Sequence, residues 1–275
     1  MVQADVKWKY SLCNEMFENW ALSKIAATAA DLGYQGIELA PYTLAPLVTD
    51  LSAEDRKRIR QDVEGAGMKV SGLHWILAKT PFQLNAPDRE RREAASKYLL
   101  DLIDFCADVG GEILVFGSPQ QRDPMEGWSA EDAWKWPVEA MRRCGERAAQ
   151  RGVFFCLEPL IGTKLLTGVD VVAKMVREVD HPGLRMMVDT KSMGSDTRWS
   201  VADQLKAVWP LFKHVHVNDP NLLGPGMGDL DFRPIVATLR DLGYDRWLSL
   251  EVFKFELGSE NIARQSLANL KAALQ

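Results

Sequence analysis

Four residues of types that bind divalent cations each stand at or near the end of a short apolar run in the second half of the chain. They are Glu158 after VFFCL, Asp189 after LRMMV, His216 within HVHVND, and Glu251 within WLSLEVF. The intervals between them are 31, 27 and 35 residues, which suits one strand, one helix and two loops of a repeating β/α fold. Strand ends share one face of a parallel barrel, so this spacing predicts that the four side chains meet in one site.

The composition of this ligand set indicates which cations it would bind. Three carboxylates and one imidazole, without a thiolate, suit Mn²⁺ or Mg²⁺, with Co²⁺ tolerated, better than a closed tetrahedral zinc site. Open coordination positions would then accept two neighbouring oxygens of a substrate. Each residue alone also fits an ordinary role, since Glu158 could begin a loop, Asp189 could cap a helix and His216 could be a hydrogen-bonded core histidine. The prediction therefore depends on all four occurring together.

The apolar runs alternate with helix-like segments along the whole chain. Eight runs are typical of strands, the first at 6–13 and the last at RWLSLEVF, and a helical segment follows each of them. We expect Ser52 to cap one helix and Gly33 and Gly152 to end two others. This alternation predicts a parallel sheet covered by helices, and hence an α/β fold with a single (β/α)8 TIM barrel in which 1–275 form one domain. A doubly wound open sheet is the alternative, but it usually has fewer strands.

The composition is that of an ordinary soluble globular protein and argues against several functional classes. Hydrophobic residues make up 47% of the chain and charged residues 26%. A net charge of −5, with arginine and lysine runs that are mixed with acids, argues against a nucleic-acid partner. The sequence contains neither an apolar run of membrane-spanning length nor the apolar core of a secretion signal. Four cysteines without CxxC spacing are interpreted as reduced thiols, so we expect a cytoplasmic protein.

Three further polar residues near the predicted strand ends are candidates for substrate contacts. Lys191 in VDTKSM would be a cation beside the metal that holds a substrate oxygen or stabilises an enediolate, or else a solvated loop lysine. His74, at the end of the third strand, would hydrogen-bond a hydroxyl group or be a satisfied core histidine. Glu38 would orient the substrate or support the barrel rim. The sequence alone leaves these alternatives open.

The remaining candidates concern the support of a ligand and the walls of a sugar site. Asp219 is expected to accept a hydrogen bond from the second ring nitrogen of His216, because ligand imidazoles usually donate that N–H to an acceptor. Trp75, Phe116 and Phe253 are candidate apolar walls for one face of a sugar, or ordinary packing residues. His181, which lies in a helix-to-strand loop, is expected at the opposite end of the barrel and is excluded from the site. Its exclusion leaves three histidines as candidates for the rim.

Several short motifs recur at the predicted strand ends: GYQGIE at the second strand, EP at the fifth, VDT at the sixth, HVH at the seventh, GMGDLDF after it, and SLEVF at the eighth. With these motifs nearly the whole chain resembles the xylose isomerase-like barrel superfamily, in particular the sugar phosphate isomerase/epimerase branch that includes D-tagatose and D-psicose 3-epimerases. The resemblance implies that Glu158, Asp189, His216 and Glu251 hold the metal and that the two glutamates transfer protons. The motifs are specific for the superfamily and poorly specific for the substrate.

Two positions depart from the pattern of the 3-epimerases. Ser192 stands three residues after the ligand aspartate, where those enzymes carry a histidine, and Leu222 stands six residues after the ligand histidine, where they carry an arginine. Both positions contact substrate in that family, and Ser192 is accordingly a substrate-binding candidate here. The resemblance therefore defines the metal chemistry more closely than it defines the sugar.

These residues predict a divalent-metal-dependent sugar isomerase or epimerase, similar to a ketose 3-epimerase, that abstracts a proton next to a carbonyl through an enediolate. A lyase on the same barrel, either a dehydratase or an enzyme that eliminates from a 3-keto sugar or glycoside, is the main alternative. A DNA-repair endonuclease would need a histidine-rich three-metal cluster, and the chain has four histidines in all. A non-catalytic sugar-binding barrel would not require both glutamates.

The expected partner is a small-molecule carbohydrate, and neither a nucleic acid nor a membrane is expected. No clear combination of arginine or lysine with a glycine-rich nest marks a phosphate pocket, so we expect a non-phosphorylated carbohydrate. The resemblance also implies a homodimer or homotetramer.

Overall fold

The computed structural model describes residues 7–275, and its eight β-strands close into a parallel barrel. Each strand pairs with the next along the chain, and β1 pairs with β8 to complete the barrel. The predicted (β/α)8 barrel is confirmed. The start of the predicted first strand, at residue 6, lies outside the described residues. The strands are β1 Lys9–Cys13, β2 Gly36–Leu39, β3 Lys69–Leu73, β4 Ile113–Phe116, β5 Phe154–Leu157, β6 Leu184–Asp189, β7 Phe212–Val217 and β8 Trp247–Leu250.

Every strand is followed by at least one helix, as the alternation predicts. Two short helices, α4 and α7, were not predicted, and both begin within three residues of the end of a strand on the face where the strands finish. The helices are α1 Leu22–Leu32, α2 Ala53–Glu64, α3 Arg89–Asp108, α4 Pro119–Arg122, α5 Ala130–Arg151, α6 Val169–Val179, α7 Thr190–Gly194, α8 Val201–Val208, α9 Phe232–Asp241 and α10 Ser259–Ala272.

The helix boundaries follow from local chemistry that the sequence displays. The Ser52 side chain accepts a hydrogen bond from the Asp55 backbone N–H, and Asp55 in turn accepts one from the Ser52 backbone, which is the expected capping box. Gly33 and Gly152 end α1 and α5 in the left-handed region, with φ of 95° and 72°. Glycine adopts this conformation without the steric cost that a Cβ would bring.

Polar side chains occupy the axis of the barrel below the strand ends. Ser11 and Ser71 share a hydrogen bond of 2.6 Å between their hydroxyl groups, and Glu38 and His214 lie in the same interior without solvent exposure. Each of these side chains has a hydrogen-bond partner, as buried polar groups require. The interior is therefore a packed polar column that supports the residues above it.

Within residues 7–275, no helix combines the length and the apolar character needed to cross a membrane. The four cysteines are buried and unpaired with one another, in agreement with their interpretation as thiols. That the whole of 1–275 forms one domain stays a prediction, as does the cytoplasmic location.

Candidate metal centre

The ends of the last four strands bring the predicted ligands together. Asp189 and His216 lie directly opposite each other in the pairing of β6 with β7, while Glu158 and Glu251 are the first residues after β5 and β8. One candidate ligand atom from each of the four residues lies within 4.8 Å of all the others, and all four side chains are buried. The parallel register of neighbouring strands is the reason that residues so far apart in sequence share one site.

Glu158 is a buried carboxylate without a partner. Only 6% of the residue is exposed, and no hydrogen-bond donor or cationic group of residues 7–275 contacts its carboxylate. Burial, together with the charges of Glu251 and Asp189, raises the pKa of Glu158 to about 8. Burial also raises the pKa of Asp189, although the nearby Lys191 opposes the change. Such crowding of buried carboxylates is expensive unless a cation neutralises it, so the donor set fits a divalent metal.

His216 is held in place by Glu38 rather than by Asp219. Its Nε2 lies 3.1 Å from Glu38 Oε1, and its Nδ1, which lacks a hydrogen bond, lies 3.2 Å from Glu251 Oε2. This nitrogen therefore faces the ligand cluster. Glu38 also contacts His214 Nε2 at 2.8 Å, and although burial opposes ionisation, the two histidines hold the pKa of Glu38 well below its usual range.

The structure does not support two of the roles considered from the sequence, namely substrate orientation by Glu38 and support of His216 by Asp219. Glu38 is completely buried beneath the cluster, so it supports His216 and cannot orient a substrate. Asp219 does not contact His216, since its carboxylate accepts the backbone N–H groups of Asn221 and Leu230 and organises the loop between β7 and α9. The expectation that Asp219 supports the ligand histidine is wrong because β2, which does not pair with β7, places Glu38 at the ring from across the barrel interior.

Glu251 has surroundings opposite to those of Glu158. Trp75 Nε1 donates a hydrogen bond of 2.9 Å to Glu251 Oε1, and His74 Nδ1 lies 3.4 Å from the same oxygen. Burial favours the neutral acid, but His216 and His74 outweigh it and hold the pKa of Glu251 well below its usual range. Glu158 thus favours the protonated form and Glu251 the ionised form. This difference suits a pair of groups with different acid–base roles.

Asn218 is a functional candidate that sequence reasoning missed. Its Nδ2 donates to Asp189 Oδ2 at 2.7 Å and lies 3.4 Å from Glu251 Oε2, so it connects two of the ligand carboxylates. Its Oδ1 accepts the backbone N–H of Lys191 at 2.8 Å. The signal was present in HVHVND, because strand alternation places the residue two positions after His216 on the same inward side.

A cavity of about 440 Å³ opens above the cluster, a volume that suits a small-molecule site. Glu158 and Glu251 line it from below, while Trp75, Lys191 and Phe253 form part of its wall. The Lys191 ammonium lies 4.3 Å from the centre of the Phe253 ring, so both predicted residues are at the cavity. Sequence reasoning missed several further polar lining residues after β4 and β5, which are Ser118, Gln120, Gln121 and Thr163.

Three other expected substrate contacts are not formed in the way the sequence suggested. Phe116 is 1% exposed and packs against Phe155 in the core, with ring centroids 5.7 Å apart. Ser192 is buried, and its hydroxyl oxygen accepts the Ile161 N–H while its own N–H donates to Asp189 Oδ1. His74 does reach the cavity wall, but both of its ring nitrogens face carboxylates, with Nε2 lying 2.8 Å from Glu15 Oε2.

The two remaining positions of interest lie outside the cavity. Leu222, which stands where the epimerases have an arginine, accepts the Phe253 N–H through its carbonyl oxygen and does not line the cavity. His181 lies between α6 and β6 against Gly145, at the end of the barrel opposite the strand ends, as expected.

A second group of potential ligands, formed by Cys13, Glu38, His74 and His216, also lies within 4.8 Å. It fits a metal less well, because Glu38 already binds two histidines. Burial and the charge of Glu38 also raise the pKa of the Cys13 thiol well above its usual range, which disfavours the thiolate that a metal would need. Of the two groups, the cluster at the strand ends is the better candidate for a metal centre.

Comparison with known proteins agrees with this geometry. The family model described as a xylose isomerase-like TIM barrel matches residues 26–273. A D-psicose 3-epimerase of Ruminiclostridium cellulolyticum is 26% identical over 231 residues, which cover 82% of this chain and 75% of the relative. An inosose dehydratase of Geobacillus thermodenitrificans is 20% identical over 233 residues, which cover 72% of this chain and 73% of the relative.

Solved structures share the fold. A D-psicose 3-epimerase structure in the presence of D-fructose superimposes with a TM-score of 0.84 at 19% identity and covers 97% of this chain and 99% of the other. A 3-keto-D-glucoside 4-epimerase from E. coli superimposes with a TM-score of 0.82 at 20% identity, covering 97% of this chain and 100% of the other. The relatives found by sequence are thus epimerases and dehydratases, and the solved structures show the same barrel.

Proposed function

Because the chain belongs to the xylose isomerase-like TIM barrel family, we propose that it is a metal-dependent epimerase acting at the carbon next to a carbonyl group of a sugar. The observation that best supports this reaction is that Glu158 and Glu251 belong to one ligand cluster and both line the cavity above it. The D-psicose 3-epimerase relative supports the same class of reaction. The substrate is a non-phosphorylated carbohydrate.

Glu158, Asp189, His216 and Glu251 would hold the cation, and the oxygen-rich donor set favours Mn²⁺, with Mg²⁺ or Co²⁺ as substitutes. When bound, the cation polarises the carbonyl group and stabilises the negative charge that develops on its oxygen. Glu38 positions His216 for this role through its hydrogen bond to Nε2.

The two glutamates supply the proton transfer. Glu251, held as a carboxylate by His216 and His74, removes the proton from the carbon next to the carbonyl. Glu158, the other glutamate that lines the cavity from below, delivers a proton to the opposite face of that carbon and inverts it. In the reverse direction the two roles exchange. The Lys191 ammonium at the cavity wall binds a substrate oxygen, and Trp75 and Phe253 contact the apolar face of the sugar.

Solvent exchange tests this proposal directly. The protein is loaded with Mn²⁺ and incubated in D₂O with a panel of ketoses and keto sugars, and deuterium at each carbon is read by NMR. We expect deuterium at the carbon next to the carbonyl, and a loss of at least about 10²-fold in rate for Glu158→Gln and Glu251→Gln.

The matched control is Glu146→Gln, because Glu146 is exposed on the outer face of α5. It should exchange deuterium at the rate of the unchanged protein. A Mn²⁺-loaded protein that leaves no deuterium in any sugar of the panel would overturn the proposal.

A lyase is the second candidate, and the inosose dehydratase relatives favour it specifically. In that reaction the same carboxylate removes the proton next to the carbonyl, but a hydroxyl group on the adjacent carbon then departs as water after protonation. The mass of the product distinguishes the two reactions, since epimerisation leaves the mass unchanged and dehydration lowers it by one water molecule.

A further inference from the structure

A second, larger cavity of about 730 Å³ adjoins the cavity above the metal centre. We call it the outer cavity, and it is formed by residues that follow β1, β2, β3 and β8 on the same face of the barrel. Its lining is rich in aromatic rings, which are Phe17, Trp20, Tyr42, Trp75, Phe253 and Phe255. The metal centre needs none of this space, because none of its four ligands lines the outer cavity, and Glu158 and Glu251 line the smaller one.

Trp75, Lys79 and Phe253 line both cavities and form the wall between them. The Trp75 ring lies 6.2 Å from that of Phe253 and 6.4 Å from that of Tyr42, so aromatic surface runs from one cavity into the other. Trp75 and Lys79 have φ of 52° and 60°, a conformation that is costly for residues with a Cβ. Backbone strain of this kind concentrates where binding requires a side chain in a fixed position.

Trp75 also links the wall to the chemistry. Its indole N–H donates to Glu251 Oε1, while 38% of the residue is exposed. A ligand that occupies both cavities would therefore lie against the residue that positions a proton-transfer group. A ligand in the outer cavity is therefore connected, through Trp75 and Glu251, to the carbon that exchanges its proton.

The polar groups of the outer cavity suit neutral hydroxyl groups. Glu18 and Asn19 are exposed at its edge, and within residues 7–275 neither side chain makes a hydrogen bond. The acids Glu15 and Glu18 outnumber the single cationic side chain in the lining, Lys79, whose ammonium lies 4.0 Å from the Tyr42 ring. This charge balance disfavours a phosphate or carboxylate group. Aromatic faces beside free acceptors and amides instead match the apolar face and hydroxyl rim of a sugar ring.

We infer that the outer cavity is a second sugar subsite, and that the substrate is a keto-glycoside whose oxidised ring lies over the metal ligands while its second ring stacks in the outer cavity. The inference rests on the proposed function and specifies its substrate class. The second ring binds without reacting, and the glycosidic bond remains intact.

The test compares two matched substrates, a methyl 3-keto-glucoside and a 3-keto-disaccharide, by the rate of deuterium incorporation in D₂O with Mn²⁺ present. We expect kcat/KM to be at least about tenfold higher for the disaccharide. Ala21→Trp fills the outer cavity from an exposed position. It should abolish the preference and leave the rate with the methyl 3-keto-glucoside unchanged. Ala130→Trp, at an exposed position of α5 outside both cavities, is the matched control.

A disaccharide preference that is absent, or that persists in Ala21→Trp, would overturn the subsite. If neither substrate incorporates deuterium, the subsite is tested separately from the reaction, by calorimetric binding of the unoxidised compounds. The subsite predicts that cellobiose or maltose binds at least about tenfold more tightly than methyl glucoside, with the difference lost in Ala21→Trp. Equal affinities would refute it independently of the reaction.

Discussion

Glu158 and Glu251 show how one cluster of carboxylates acquires two different chemical characters. The glutamate after β8 receives a hydrogen bond from Trp75 and faces two histidines, whereas the glutamate after β5 has no donor within residues 7–275. The difference arises entirely from neighbours, because the side chains are identical. It also leads to a prediction for the removal of Glu158.

Replacing Glu158 by glutamine is expected to stabilise the metal-free protein and to remove its metal binding. The amide carries no charge to bury and can donate to the neighbouring carboxylates, so we expect a gain on the order of 1–3 kcal/mol in the free energy of unfolding. The gain should grow as pH rises from the ordinary value of 4.5 to about 8, because the folded state of the unchanged protein retains there a proton that the unfolded state has lost.

Urea unfolding in the presence of EDTA measures this effect. Glu146→Gln serves as the control and should leave stability unchanged. A Glu158→Gln protein that is less stable than the unchanged protein would contradict the account of Glu158 as an unpartnered buried carboxyl group.

Replacing Glu38 by glutamine tests the support of the ligand histidine. Glu38 contacts the Nε2 atoms of both His214 and His216, and its loss frees the ligand ring to reorient. We expect Mn²⁺ affinity to fall by about 10–100-fold while the cavity residues stay in place. Electron paramagnetic resonance of free Mn²⁺ measures the affinity. Unchanged affinity would mean that the ring is held by packing alone.

At the scale of elements, the two short helices α4 and α7 complete the site. Both follow strand ends within three residues, and each makes a hydrogen bond to one of the candidate metal ligands. In α7 the Ser192 N–H fixes Asp189, and in α4 Arg122 Nη1 donates to the carbonyl oxygens of Phe116 and Glu158 at 2.9 and 2.8 Å. The fully buried Arg122 thereby ties the end of β4 to the end of β5.

Arg122→Met should destabilise the protein by about 2–4 kcal/mol, because it leaves two carbonyl groups at the strand ends without their donor. Burial lowers the pKa of Arg122 to about 10, so the contacts it makes offset only part of the cost of burying this cation. Urea unfolding measures the change, with the exposed Arg91→Met as control. A neutral effect of Arg122→Met would show that the loops are held without this contact.

For the whole molecule, a bound cation connects four strands that are adjacent in the barrel but distant in sequence. Saturating Mn²⁺ at about 100 times its Kd should add about 2.7 kcal/mol to the free energy of unfolding. For a chain of this size the corresponding rise in Tm is roughly 5–10 °C. The rise should shrink as pH falls below about 8, because protons then compete with the cation for Glu158.

Thermal unfolding with and without EDTA at several pH values checks this expectation. Asp189→Asn, which removes one ligand, should show a much smaller effect of Mn²⁺. A Tm that is independent of Mn²⁺ at every pH would argue against the metal centre.

Much of the fold could be predicted from the sequence, because local interactions determine where its elements begin and end. Apolar runs, the Ser52 capping box and glycines such as Gly33 mark elements through interactions within a few residues, so the sequence alone determined the alternation and the barrel. The same regularity placed Glu158, Asp189, His216 and Glu251 at one end of the strands. Their convergence follows from the parallel register, which repeats the same geometry at each strand.

Only the tertiary structure decided which residues support the ligands and which reach the substrate. Glu38 and His216 are separated by 178 residues, and Trp75 and Glu251 by 176, so no local pattern records either contact. The burial of Phe116 and the presence of the outer cavity likewise depend on how loops from several strands pack together. The sequence by itself determined the barrel and the types of its metal ligands. The hydrogen bonds that orient these ligands, and the walls of the cavities, arise from contacts that form only when the barrel closes.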